Sequence, residues 1–187
     1  MLVLIIFFTS CQKIKPTWMI YNLDELWEVK SLAVIAGEYD SAVSHCILSM
    51  QKDLIRNLES SNRYHVLQYR DVFMAMESPQ INVSVNSEHL DHAMAGLLKE
   101  RLKVDGVIIL SMEFCNSSQG NQVSVALFST GNGERIGTFN ACTHRHRIST
   151  SRSLLAKGVT TSLELTTALL RDNPTNYSSY TRYECLR

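Results

Sequence analysis

A near-continuous apolar run occupies residues 106–114, between a helical pattern and a polar, glycine-containing turn. β-Branched and aliphatic residues in such a run are typical of a strand that is buried on both faces. We expect its buried side chains to include Ile108, Leu110, Met112 and Phe114. The pattern therefore predicts the central strand of a sheet at this place.

Two more strands are predicted directly after this run. Residues 122–128 alternate between polar and apolar side chains, and a further strand is predicted over residues 135–145. Polar turns that contain Gly and Asn separate the three strands at residues 117–121 and 130–133. Short turns of this kind join antiparallel neighbours, so we predict a three-strand antiparallel meander.

Three longer segments carry apolar residues at helical spacing. The first covers about residues 41–60, with Asp40 as its N-cap. The second runs from a cap at residue 86 or 87 to about residue 103. The third runs from about residue 149 to residue 171, where Asn-Pro stops it. We predict a helix over each segment.

Shorter apolar segments complete the pattern. Residues 31–37 and 64–69 are predicted strands, and the spacing of Leu23, Leu26 and Trp27 predicts a short amphipathic helix or a clamp across the sheet edge. The resulting order is β-α-β-α-β-β-β-α. We therefore predict an α/β fold with a single mixed sheet, a C-terminal three-strand antiparallel meander and helices packed on the sheet.

The composition fits one globular domain with tails. The chain has 187 residues, of which 45% are hydrophobic and 19% are charged. Its 18 basic residues equal its 18 acidic ones, so no overall field attracts it to nucleic acid. We expect no nucleic-acid partner.

The first residues have the pattern of a secretory leader. Seven apolar residues are followed by small ones, a run too short to span a bilayer, which needs about 20 residues. The sequence Phe-Thr-Ser-Cys that ends at Cys11 resembles a bacterial lipobox, in which the Cys becomes the lipidated first residue. Phe8 stands where Leu is usual, and no Lys or Arg precedes the apolar run. The alternative is a buried N-terminal strand or an uncleaved signal.

On this interpretation the chain divides into four parts. Residues 1–10 are a signal peptide of the lipoprotein type, and residues 11–30 are a tether with a short N-terminal segment. Residues 31–171 form the α/β domain, and residues 172–187 form a C-terminal tail. We expect an outer-membrane lipoprotein that faces the periplasm and is held in the membrane by a palmitate-type acyl chain on Cys11.

The chain resembles a group of envelope proteins with an α/β domain. This group contains the curli-secretion-pore lipoproteins, the LpoB-like penicillin-binding-protein activator lipoproteins and the N-terminal domain of the TolB translocation protein. Residues 31–35 resemble the opening strand of the group, and residues 61–67 resemble its second strand with the preceding turn. Residues 102–109 resemble the entry to its central strand, and residues 123–131 resemble the strand that ends in Thr-Gly.

The resemblance covers about residues 31–170 and differs from two of the three groups. The chain lacks long amphipathic insertions of the kind that form barrel hairpins in curli pores, and it ends before a propeller of the TolB type begins. The remaining small-domain group implies proteins that bind other proteins rather than catalyse reactions.

One predicted strand end carries metal-ligating residue types. Cys142, His144 and His146 alternate along the strand, and thiolate with imidazole suits zinc or copper. Arg145 and Arg147 interleave with them, and a cationic neighbourhood disfavours a cation. We therefore expect no bound metal and no cofactor, and we keep a metal-binding protein as a third functional hypothesis.

The same strand end is a candidate contact for an anion or a partner. Residues 144–147, together with Arg152 near the start of the last helix, offer cationic groups to a phosphate or carboxylate. An ordinary exposed basic strand end is the alternative interpretation.

Aromatic residues in the tail form a second candidate contact. Tyr177, Tyr180 and Tyr183 lie at helical spacing and are expected either to dock on their own domain or to anchor a partner. Residues 12–30 are a further candidate for partner contact.

The sequence contains none of the common catalytic signatures. It has no G-x-S-x-G, Walker, Rossmann or H-E-x-x-H pattern, so we expect no enzyme activity. The leading hypothesis is an envelope lipoprotein that acts as a non-catalytic protein-binding or regulatory module of a periplasmic or outer-membrane complex. The alternative is a subunit that self-assembles into a ring or secretion apparatus, which makes a homo-oligomer part of the expectation.

Overall fold

A computed structural model describes residues 17–39, 44–76, 90–115, 120–144, 156–157, 159–160, 163 and 181–184. Seven strands and four helices are assigned within these residues. In chain order they are β1 (Thr17–Ile20), α1 (Leu23–Glu28), β2 (Ser31–Tyr39), α2 (Ser44–Ser60), β3 (His65–Val66), α3 (Tyr69–Met76), α4 (His92–Leu102), β4 (Gly106–Cys115), β5 (Gly120–Ser129), β6 (Arg135–His144) and β7 (Thr181–Glu184).

The strands form one mixed sheet. Their order across the sheet is β3-β2-β4-β5-β6-β1-β7. β2 pairs in parallel with both β3 and β4, whereas β4, β5 and β6 are successive antiparallel neighbours. The predicted fold class and the predicted meander are confirmed.

The central strand β4 is buried on both faces, as the apolar run predicted. Ile108, Leu110 and Met112 belong to a core cluster that also contains residues of α2. Val107 and Ile109 belong to the opposite cluster, which contains residues of α4. Alternate side chains of a strand point to opposite faces, so β4 joins the two halves of the core. The side chain of Phe114 lies outside the described residues.

The apolar face of α2 is buried as predicted, whereas α4 differs from the prediction at its start. α2 buries Ile47, Met50 and Leu54, whereas the predicted cap at Asp40 lies outside the described residues. α4 begins at His92, so its predicted start at residue 86 or 87 is wrong. The side chain of Asp91 supplies the cap, because its Oδ1 accepts a hydrogen bond of 3.3 Å from Ala93 N.

The predicted last helix is described at only a few positions. Residues 156–157, 159–160 and 163 are helical, and Ala156, Val159 and Leu163 are fully buried against the α2 face of the sheet. The remainder of the predicted helix lies outside the described residues.

The predicted strand over residues 64–69 is shorter than expected. Only His65 and Val66 pair with β2, and Tyr69 already begins α3. The backbone N–H groups of Asp71 and Val72 both donate to the carbonyl of Gln68. Strand β3 therefore ends three residues before its predicted end, and the first turn of α3 follows.

Segments near both termini join the sheet. β1 lies between β6 and β7, and Ile20 and Leu26 are fully buried. The predicted tether and the predicted tail therefore both contain residues that pair within the sheet. The predicted division at residues 30 and 171 separates β1 and β7 from the strands with which they pair.

The turn between β5 and β6 depends on a glycine. Gly133 has a φ of +76°, and a Cβ there would lie 2.6 Å from the carbonyl oxygen of Leu90. The carbonyl of Gly133 accepts a hydrogen bond of 2.7 Å from Leu90 N. The turn predicted at residues 130–133 is confirmed, and it also fixes the segment that precedes α4.

Candidate functional site

Charged residues precede each of the three parallel strands. Lys30 precedes β2, Arg63 lies two residues before β3, and Asp105 precedes β4. The parallel registers pair Ser31 with His65 and Leu32 with Gly106, which brings these charges to the same end of the sheet. This end is the best candidate for a functional site among the described residues.

Asp105 is hydrogen-bonded to the residues at the start of the neighbouring strand β2. Its Oδ2 accepts hydrogen bonds from Lys30 N at 3.1 Å, Ser31 N at 2.9 Å and Ser31 Oγ at 2.8 Å. Ser31 Oγ in turn accepts a bond of 3.0 Å from Asp105 N. This hydrogen-bond cluster ties the start of β2 to the start of β4.

The same bonds set the acidity of Asp105. Partial burial alone raises its pKa, but the bonds from Ser31 Oγ and from the N–H groups of Lys30 and Ser31 favour the carboxylate. The charge of Lys99 adds to them, and the net effect places the pKa below its ordinary value of 3.8. Asp105 is therefore a structural carboxylate whose acceptor capacity serves the fold.

Arg63 lies in different surroundings. Its guanidinium carbon is 5.2 Å from the ring centre of Trp27 and 5.7 Å from that of Tyr64. Its Nε and Nη2 atoms are buried and have no hydrogen-bond partner in the described structure. Buried polar atoms are nearly always paired, so these two nitrogen atoms require an acceptor from outside the described residues, either water or a ligand.

A second cationic side chain, that of Lys30, lies close to the Trp27 ring. Lys30 Nζ lies 5.2 Å from the centre of the same indole and donates a hydrogen bond of 2.7 Å to the Trp27 carbonyl. Trp27 is 39% exposed, so part of the ring that contacts both cations is accessible to solvent. Arg63 and Lys30 thus place two cationic side chains against one indole ring.

An open cavity of about 490 Å³ lies beside Arg63. Residues 62–68 line it together with Glu59 and Asp71, so that β3 and its flanking turns form one wall. The side-chain amide of Gln68 donates to Glu59 Oε1, which links the end of α2 to the residues after β3. We call this space the edge cavity, because β3 is the outer strand of the described sheet on this side.

The backbone of β3 is paired on one side. His65 N donates to the Lys30 carbonyl at 2.8 Å, and Leu67 N donates to the Leu32 carbonyl at 2.9 Å. N–H groups of successive strand residues point in opposite directions within the sheet. The N–H and C=O of Val66 therefore point away from β2, toward the edge at which the described residues place no further strand.

Helix α3 adds exposed apolar surface next to this cavity. Phe73 is 51% exposed and Met74 is 61% exposed. Tyr69 stacks on Phe73 with ring centres 6.1 Å apart, and Lys52 Nζ lies 4.8 Å from the centre of the Tyr69 ring. Contiguous exposed aromatic and Met side chains are typical of protein-binding surfaces.

The residues predicted as sites from sequence are mostly not described. Residues 145–147 and the residues Cys11, Arg152, Tyr177 and Tyr180 lie outside the described structure, so those hypotheses stay predictions. The backbone of His144 ends β6 opposite Gly120. The backbone of Tyr183 lies on β7 opposite Trp18, so this residue is in a strand and not in the helical turn that its spacing suggested.

The described residues also bear on the metal and membrane hypotheses. No group of three or more His, Cys, Asp or Glu side chains is placed there to hold a metal ion. The side chains of Cys142 and His144 are not among those described. No described helix combines the length and apolar character that crossing a membrane requires.

Sequence reasoning missed Arg63 as a site residue. It placed Trp27 in the segment that is a candidate for partner contact, but no local pattern connects Trp27 with Arg63. The one local pattern that could have indicated it is the adjacent pair Arg63 and Tyr64. This pair combines a cation with an aromatic ring, and it lies between the end of a predicted helix and the start of β3.

Comparison with known proteins finds similarity only among solved structures. No family model and no curated protein matches the sequence. The LpoB C-terminal domain from Escherichia coli is similar with 15% identity and a TM-score of 0.45, covering 62% of this chain and 83% of that chain. Lipoprotein GNA1162 from Neisseria meningitidis is similar with 13% identity and a TM-score of 0.44, covering 79% and 99%.

The PelC dodecamer from Paraburkholderia phytofirmans is similar with 10% identity and a TM-score of 0.44, covering 73% of this chain and 88% of that chain. The similar structures thus include the LpoB-like group named in the sequence resemblance. All three TM-scores lie below 0.5, and we transfer no activity or partner from these structures.

Proposed function

We propose that the protein is a lipid-anchored protein of the bacterial cell envelope. Its sheet domain is then a non-catalytic module that binds or regulates a protein partner in a periplasmic or outer-membrane complex. The observation that carries the binding role is the edge cavity, where two buried nitrogen atoms of Arg63 have no hydrogen-bond partner among the described residues. Asp71 connects this cavity to helix α3, on which Phe73 and Met74 are exposed. The sequence around Cys11 supports the anchor.

The surface chemistry favours a protein partner over a small substrate. The cavity is open and adjoins apolar helix surface, whereas substrate pockets enclose most of their ligand. Aromatic, Met and Arg side chains are the residue types enriched at protein interfaces. The described residues offer this combination at one place, around α3 and β3.

Site-specific crosslinking tests the binding role. A photo-reactive amino acid at Phe73 is expected to form crosslinks to a specific envelope protein in living cells. The same amino acid at Glu100, which is exposed on α4, serves as the matched control and is expected to form none. Equal crosslinking from both positions, or none from Phe73, contradicts the proposed binding surface.

Metabolic labelling with a clickable fatty acid tests the anchor. The wild-type protein is expected to carry the label, and Cys11→Ala is expected to lose it. An unlabelled wild-type protein, or equal labelling of both proteins, contradicts lipidation at Cys11 without affecting the binding surface.

A further inference from the structure

We infer that the edge cavity binds an extended peptide segment through one carboxylate and its backbone. This inference rests on the proposed function and names the chemistry of the partner. Arg63 receives the carboxylate, and the open edge of β3 pairs with the peptide backbone at Val66. Each part follows from a different observation.

The guanidinium of Arg63 has the geometry for a carboxylate. Its Nε–H and Nη2–H groups point in the same direction and match the two oxygens of a carboxylate in a bidentate pair. These are the two nitrogen atoms that are buried without a hydrogen-bond partner. The partly exposed indole of Trp27 lies beside the guanidinium, so we expect the surroundings of its N–H group to change when the carboxylate binds.

The backbone of β3 provides the second contact. The N–H groups of His65 and Leu67 are used by β2, which leaves the N–H and C=O of Val66 for a further strand. β3 has only two residues, so the added segment is short. Strand addition at an exposed edge is a common way to bind extended peptides, and it supplies affinity without selecting side chains.

The charges around the cavity select the sequence of the peptide. Arg63 lies at one end of the lining segment, whereas Asp71 and the Glu59–Gln68 pair lie at the other end. A carboxylate is attracted to the first end and repelled from the second. The segment that fits best has one acidic residue followed or preceded by neutral or basic residues. A phosphate group carries more negative charge and fits this mixed lining less well.

Peptide titration of the full chain, followed by backbone amide and indole N–H signals in NMR, tests the inference. The probe is a short blocked peptide of Thr and Val with one central Glu and a terminal Lys. Its matched control has Gln in place of Glu. We expect the Glu peptide to shift the Val66 amide and the Trp27 indole N–H, and to bind roughly tenfold more tightly than the Gln peptide.

Variants of Arg63 locate the carboxylate. Arg63→Gln is expected to remove the difference between the Glu and Gln peptides. Arg63→Lys keeps the charge without the planar fork and is expected to retain only part of the difference. The thermal unfolding of each variant is measured first. If Arg63→Gln fails to fold, Arg63→Lys alone decides, and a difference as large as in wild type overturns the role of Arg63.

A backbone-blocked probe tests strand addition. The Glu peptide with N-methyl groups on alternate residues is expected to lose most of its binding. Equal binding of the methylated and unmethylated peptides overturns pairing at Val66. Equal binding of the Glu and Gln peptides to wild type overturns the carboxylate. Binding of inorganic phosphate at Arg63, with no binding of either peptide, also overturns the inference.

The proposed protein-binding function and the proposed peptide site can be contradicted separately. Loss of specific crosslinking from Phe73 contradicts the partner-binding surface as a whole. Crosslinking from Phe73 with no response to either peptide leaves the proposed function standing and overturns only the peptide site.

Discussion

Asp105 and Arg63 lie at the same end of the sheet, next to strands that both pair with β2, yet their surroundings differ. The Asp105 carboxylate accepts three hydrogen bonds from Lys30 and Ser31. The Arg63 guanidinium has ring contacts, and two of its nitrogen atoms have no hydrogen-bond partner among the described residues. The difference suggests that Asp105 stabilises the fold and that Arg63 is available to a ligand.

The largest effect is expected at Asp105. Asp105→Ala leaves Lys30 N, Ser31 N and Ser31 Oγ without their acceptor and is expected to lower the free energy of unfolding by about 2 kcal/mol. Urea denaturation followed by circular dichroism measures the change. Ser31→Ala removes only the hydroxyl contacts and is expected to cause a smaller loss. A stability of Asp105→Ala equal to wild type would refute the structural role of this carboxylate.

Lowering the pH is expected to remove part of the same stabilisation. Asp105 binds a proton more weakly in the folded chain than in the unfolded chain, because its pKa is lowered from 3.8 on folding. The stability difference between wild type and Asp105→Asn is therefore expected to be full above that value and to shrink as the pH falls through and below it. Urea midpoints at a series of pH values measure this difference. A difference that grows at lower pH contradicts the direction of the shift.

A smaller effect on stability is expected at Arg63. Arg63→Gln removes ring contacts with Trp27 and Tyr64, but it also removes a charged group with unpaired buried atoms. These changes oppose each other, so the free energy of unfolding is expected to change by less than about 1 kcal/mol. The same urea measurement applies. If Arg63→Gln lowers the free energy of unfolding as much as Asp105→Ala does, then Arg63 stabilises the fold. That result would contradict the proposed difference between Arg63 and Asp105.

The smallest effect is expected two residues before Asp105. Lys103 ends α4 with φ 52° and ψ 43°, and its N–H donates to the Lys99 carbonyl at 2.9 Å. Glycine adopts this left-handed conformation without a Cβ penalty, so Lys103→Gly is expected to raise the free energy of unfolding by about 0.5 kcal/mol. Lys103→Ala keeps the Cβ and serves as the control. A gain from alanine equal to that from glycine contradicts the conformational explanation.

The centre of the fold was predictable because its signals are local. The apolar run of β4 and the alternation in β5 predicted the meander, and Gly133 supplied the positive φ that the second turn needs. α3 was not predicted, because of its residues only Val72 is buried and so short a helix has little apolar periodicity. The pairing of β1 with β6 and β7 connects residues far apart in the sequence, which no local pattern reports.

The candidate site was less predictable than the fold. A sequence shows that Arg63 and Trp27 are a cation and an aromatic residue, but their contact depends on the packing of α1 beside β3. Sequence alone also cannot distinguish Asp105, whose Oδ2 accepts three hydrogen bonds from the neighbouring segment, from a carboxylate that faces a ligand. Hydrogen-bond pairing is a property of tertiary structure. In this chain it distinguishes the role of Asp105 from that of Arg63.

The position of β1 has a consequence for the order of folding. Thr17 pairs with Asn140 on one side and with Glu184 on the other, so the first described strand finds both neighbours near the opposite end of the chain. The meander forms from adjacent segments, whereas β1 must wait until β6 and β7 have been synthesised. Contacts between distant segments slow folding, so we expect the sheet to grow outward from β4 and to close last at β1.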